Sequence, residues 1–158
     1  MRGRKGSSKN VAYIASRVGL KCAMICDFDA LLFDLPLLGE VHTLYGGTTG
    51  QLDGIQGRLE AIAPIERLSQ EPSVKEAKKS GIDSQLVKES NGLFDSAPNT
   101  LESAGIFVVP FGFLEAWAPE VEPKVRFAEL APDVVRADKS LKDRFDSFFI
   151  HVLQYLNR

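Results

Sequence analysis

The sequence predicts an α/β fold: a partial parallel sheet flanked by helices, with a helical insertion and a C-terminal helix. Three observations predict it. Two short apolar runs, Cys22 to Cys26 and Ile106 to Val109, have the length and bounding residues of buried strands. A helix, a glycine and an apolar strand come one after another near the start, which is the second half of a βαβ unit. The last twenty residues carry apolar side chains at helical spacing.

In chain order, Val11, Ile14, Ala15 and Val18 are three and four apart, which predicts one apolar face of a short helix. Ser8 or Asn10 is the expected cap and Gly19 the stop. The strand then ends in Asp27-Phe28-Asp29. In an open parallel sheet, ligands and metals sit outside the carboxyl ends of the strands, and where a strand turns into a loop two carboxylates can converge on one cation. Magnesium, a hard ion, prefers such oxygen ligands. The plain alternative is that Asp27 and Asp29 are polar residues that close a strand and cap the next segment.

Ala30 to Leu38 is apolar but broken at Pro36, which predicts a short helix or loop running outward. Gly46-Gly47-Thr48-Thr49-Gly50 reads as a flexible link, because it lacks the lysine and the preceding strand of a phosphate-binding loop. Leu52, Ile55, Leu59, Ile62 and Ile65 predict a helix that Pro64 kinks or ends. Glu71 to Asn91 mixes Lys75, Lys78, Lys79 and Lys88 with acids, as solvated helical faces do.

The second strand is entered through Gly105 and ended by Pro110, and Gly112 marks a turn leading to Glu115. If the two strands run parallel, Glu115 reaches the same sheet edge as Asp27 and Asp29, and three carboxylates from two strand ends form a cation site. The alternative for Glu115 is a helix-start acid favoured by the helix dipole. From Asp138 to Arg158, Leu141, Phe145, Phe148, Phe149, Val152, Leu153 and Leu156 predict an amphipathic helix packed on the sheet. His151 is expected on the helix surface and His42 in a loop, neither with a sequence partner that would make it a nucleophile's base.

The 158 residues suit one domain. A net charge of −2 argues against a wholly basic nucleic-acid binder, yet Met1 to Lys21 holds Arg2, Arg4, Lys5, Lys9, Arg17 and Lys21 with no acid. A basic segment beside a carboxylate site favours a phosphate-containing substrate, with Arg4 and Lys9 as its contacts. The alternative is a solvated terminus. The two cysteines lie four apart in one apolar run, which excludes a four-ligand zinc site and gives no disulfide framework. With no signal-peptide pattern or membrane-spanning run, a cytoplasmic protein with no membrane partner is expected.

The order of these motifs, Gly6-Ser7-Ser8 before a helical pattern, an apolar strand ending in D-F-D, then G-I-F-V-V-P-x-G-x-L-E, resembles the Toprim domain of the OLD-family (overcoming lysogenization defect) ATP-dependent endonucleases. The resemblance spans roughly Gly3 to Trp117. It implies a single Toprim-like domain, with 1–45 and 93–118 as core, 46–92 as helical insertion and 119–158 as helical tail. It further implies a nuclease that cleaves DNA phosphodiesters with Mg2+ or Mn2+, held by Asp27, Asp29 and Glu115 as catalytic metal ligands. Three departures accompany it. The family's first strand, with its V-E-G-type glutamate, has no counterpart, nor does the family's ATPase with its G-x-x-x-x-G-K-[ST] loop. Phe113 stands where family members often carry a second acid. A fragment, an internal-start product or a subunit completed by a separate ATPase or by a homo-oligomer is the expectation this raises.

Two other readings remain open at this point. One is a non-catalytic module that binds DNA or docks onto a partner. The other is a haloacid-dehalogenase-like phosphatase with Asp27 as nucleophile, although Leu31 stands where that signature has a hydroxyl or β-branched residue.

Overall fold

Secondary structure in this chain is set by where the apolar residues can be buried together. A computed structural model describes residues 5–110 and 136–158, apart from the side chains of residues 5–9, 141 and 144. Helix α1 (Lys5–Arg17) leads to strand β1 (Met24–Cys26), followed by α2 (Ala30–Phe33), α3 (Leu35–Leu44), α4 (Gly50–Glu60), α5 (Ile65–Leu68) and α6 (Pro72–Ser80). A 3-10 turn (Gly81–Asp83), α7 (Gln85–Lys88) and α8 (Leu93–Glu102) then bring the chain back to strand β2 (Ile106–Val108). Helix α9 (Lys139–Leu156) ends the described structure. The molecule is predominantly helical around a two-stranded parallel sheet, a coarse α/β arrangement.

The strands pair parallel, with Met24 opposite Ile106, Ile25 opposite Phe107 and Cys26 opposite Val108. The ladder extends one residue past each end, with Met24 N–H donating to Gly105 O at 2.7 Å and Val109 N–H to Cys26 O at 2.8 Å. A parallel pair requires a crossover, and here the crossover is the whole helical segment from α2 to α8. Its inward residues, among them Leu31, Leu38, Ile55, Val74, Phe94 and Leu101, form one continuous core with Phe28 and Ile106. Gly105 is obligatory at the entrance to β2. Its φ is +76°, and a Cβ there would lie 2.5 Å from Cys22 O and 2.7 Å from the Tyr155 ring.

Several local expectations are corrected. Ser8 and Asn10 lie inside α1 rather than capping it, while Gly19, at φ +71°, does come just after its end. The buried face of α1 is Ala12 and Ala15, and Val11, Ile14 and Val18 are 55%, 61% and 62% exposed. Small side chains let α1 approach α3 closely enough for Tyr45 OH to donate to Ala12 O at 3.3 Å. Cys22 precedes the strand instead of forming it. Pro36 does not break a helix, because it occupies the first turn of α3, where a missing N–H costs nothing.

His42 is not a loop residue. It belongs to α3 and is buried, with Nδ1 lacking a hydrogen-bond partner among the described residues. Gly47 closes over it. A Cβ at Gly47 would collide with the imidazole ring, so this glycine serves packing, while Gly46 takes the positive φ that the turn needs. Helix α9 matches the predicted tail, but it reaches β2 through Tyr155, whose ring meets that of Phe107 edge-on at 5.8 Å. Val152 is buried, whereas Leu153 and Leu156 are exposed. Within the described residues no helix is long and apolar enough to cross a membrane.

Candidate functional site at the carboxyl edge of the sheet

The site begins with Phe28. Its side chain is fully buried and stacks on Phe94 of α8, with ring centroids 6.3 Å apart and planes at 26°. An apolar residue pinned between two acids forces the chain to turn at the end of β1, leaving Asp27 and Asp29 half-buried on either side. The carbonyls of the turn start α2, with Ala30 N–H donating to Asp27 O at 3.0 Å and Phe33 N–H to Asp29 O at 2.9 Å. Asp29 holds helical backbone angles at the N-cap without a side-chain cap bond, so its carboxylate is not committed to the helix.

That carboxylate instead meets Lys78 of α6, Nζ to Oδ2 at 3.1 Å. The same ammonium lies 6.0 Å from the centre of the Phe33 ring. Both partners are partly solvated, at 51% and 32%, so the pair contributes little to stability and weakens with salt. Asp34, between α2 and α3, is half-buried and completes the acidic neighbourhood.

Cys26 registers all three carboxylates. Burial pushes its thiol up to about 12, and Asp27, Asp29 and Asp34 add to the rise in that order. The Sγ donates to Phe107 O at 3.7 Å. A thiol held protonated this firmly is no nucleophile near neutral pH, so the chemistry available at this edge belongs to oxygen donors.

The strands pair parallel, so β1 and β2 end at one edge of the sheet. Pro110 is held there by Ile82 N–H donating to its carbonyl at 2.9 Å, which ties the exit of β2 to the 3-10 turn of the insertion. Glu115 itself and Arg4 lie outside the described residues, as does the side chain of Lys9. Among the described residues no group of three or more His, Cys, Asp or Glu side chains is placed to hold a metal ion. Oxygen donors of the right kind for a hard cation are present, but the described ones do not converge on a complete site.

Asp34 and Lys78 are the site residues that sequence reasoning missed. Asp34 carried a weak signal, as the third acid in eight residues; Lys78 carried none, because its contact depends on how α6 packs across the strand end. The other histidine, His151, lies on the surface of α9 as expected, Nδ1 3.6 Å from a Glu102 carboxylate oxygen. Comparison with protein-family models, with curated proteins and with solved structures finds no match, so the reading of this site rests on the chain's own residues.

Proposed function

We propose that the chain is a Toprim-like module for DNA phosphodiester hydrolysis, part of a larger ATP-dependent endonuclease, whose cation edge is the Asp27-Phe28-Asp29 turn. The observation that carries this reading is the parallel register of β1 and β2, by which β2 ends at the edge where the two aspartates lie. In this reading Asp27 and Asp29 hold Mg2+ or Mn2+ together with Glu115, and Arg4 and Lys9 meet the substrate phosphates. The ion, when bound, would lower the pKa of a water and stabilise charge on phosphate oxygens. The protein's own contribution is to fix the carboxylates through Phe28 and to keep Cys26 protonated beside them.

One observation favours a second reading, a non-catalytic module that binds or assembles. Lys78 already neutralises Asp29, and the described residues lack a three-donor group. Titration with Mn2+, monitored by paramagnetic broadening of the Ala30 to Phe33 amides, is the direct test, paired with nicking of supercoiled plasmid. Asp27→Asn should abolish both signals. Lys78→Ala should tighten Mn2+ binding by about fivefold, since an exposed pair is worth up to about 1 kcal/mol. Broadening without nicking assigns the edge to binding or assembly, and no broadening at millimolar Mn2+ removes the cation reading.

A further inference from the structure

A groove of about 600 Å³ runs between α1, α3 and α4, sharing no residue with the acidic edge. This volume is typical of small-ligand sites. Its apolar floor is Leu35, Leu44 and Leu52, and its polar wall comprises Thr43, Thr49, Asp53 and Gln56. Tyr13 adds an aromatic edge, and no described lining residue is basic. Arg17 of α1, which is not a lining residue, lies 5.1 Å from the centre of the Tyr13 ring.

Hydrogen bonding within the walls sharpens the chemistry. The Thr43 hydroxyl donates to Gly39 O at 2.8 Å, the Thr49 hydroxyl to Asp53 Oδ2 at 3.0 Å, and the Gln56 amide nitrogen to Glu60 Oε1 at 2.8 Å. The two hydroxyl donors are engaged within the walls, and one Gln56 amide hydrogen is engaged by Glu60 outside the lining. The capacity that remains on these groups is largely acceptor capacity: carboxylate oxygens, the Gln56 carbonyl and hydroxyl lone pairs. An apolar floor with an accepting, negatively charged wall is complementary to a donor-rich cation on an apolar body.

Gly39 is an independent indication that the space is kept open. It lies in the middle of α3 without a positive φ, and a Cβ there would make only ordinary contacts, 3.5 Å to Thr49 Cγ2 and 3.8 Å to Leu52 Cδ1. Neither backbone conformation nor close packing calls for glycine, although glycine inside a helix is less stable than alanine. What its bare Cα preserves is the floor of the groove.

We propose that this groove binds a small amphiphilic amine, a protonated primary ammonium on an aryl-alkyl or alkyl body, with Asp53 receiving the ammonium and Leu35, Leu44 and Leu52 the apolar part. The proposal does not rest on the nuclease reading. The experiment titrates the full 158-residue chain with 2-phenylethylamine and, separately, with 3-phenylpropionate, which carries a similar body and the opposite charge, and tracks backbone amide shifts. The expected result is saturable shifts at Gly39, Thr43 and Asp53 with the amine, and binding of the acid at least about tenfold weaker. Asp53→Asn, which keeps an acceptor for Thr49, should weaken the amine several-fold. Gly39→Ala should raise the unfolding midpoint while weakening the amine, opposite signs that a merely structural glycine would not give. Equal binding of amine and acid, no saturation with the amine, or amine binding unchanged in both variants overturns the proposal. Should either variant fail to fold, the contrast between the two ligands on the wild-type chain decides it alone.

Discussion

Strands β1 and β2 have the same length, lie side by side and are both apolar, yet they sit at different depths. All three residues of β2 are buried, with Phe107 only 1% exposed. In β1, Met24 and Cys26 are half-buried and Ile25 is 41% exposed. Ile25 and Phe107 are register partners on one face of the sheet, so the difference is not one of facing direction. On that face the Tyr155 ring of α9 meets Phe107 edge-on, while Ile25 stays open to solvent. Composition identifies a strand; the cover on top of it comes from elsewhere in the chain.

The largest effect expected from this contrast is at Phe107. Truncation to alanine removes a buried ring and its edge contact with Tyr155, and should cost about 3–5 kcal/mol in urea unfolding. A loss below about 1 kcal/mol would mean that α9 does not cover β2.

Next is an alkaline effect centred on Cys26. Its proton is held in the native state up to about 12 against an ordinary value of 9.0, so unfolded chains release it first as pH rises. The corresponding stability is complete below pH 9 and is lost progressively towards 12, with a slope of at most about 1.4 kcal/mol per pH unit. Tyr45 and Tyr155, raised mainly by burial, act in the same direction. The difference between wild type and Cys26→Ala isolates the thiol, and parallel pH–stability curves for the two would refute its burial.

Ile25→Ala should give the smallest change, about 1 kcal/mol or less, because much of its side chain is already in water. If that variant loses as much as Phe107→Ala, the two strands are equally covered and the comparison fails.

Both strands are legible in the sequence because each is an apolar run bounded by residues that end strands: Gly105 and Pro110 for one, Asp27 for the other. The parallel pairing is legible only as a condition, since hydrogen bonds between Met24 and Gly105 depend on the whole crossover. The face of α1 is misread for a physical reason. Counting large apolar side chains selects Val11, Ile14 and Val18, whereas close helix packing selects Ala12 and Ala15. His42 is legible in principle, seven residues after Leu35 and four after Leu38 on one helical face, but a polar ring close to glycines reads as loop. The acids at the strand end are visible, while the lysine that meets one of them is not, because nothing local links Lys78 to Asp29.

Phe28 also joins two properties that usually vary independently. Its ring belongs to the core and its flanking carboxylates to the surface, so the stacking partner Phe94 holds the acidic turn from the far side of the protein interior. A substitution at Phe94 that merely loosened packing would therefore reach solvent as a change in where negative charge stands. Packing at Phe94 and the placement of charge at the strand end are thereby coupled through one ring.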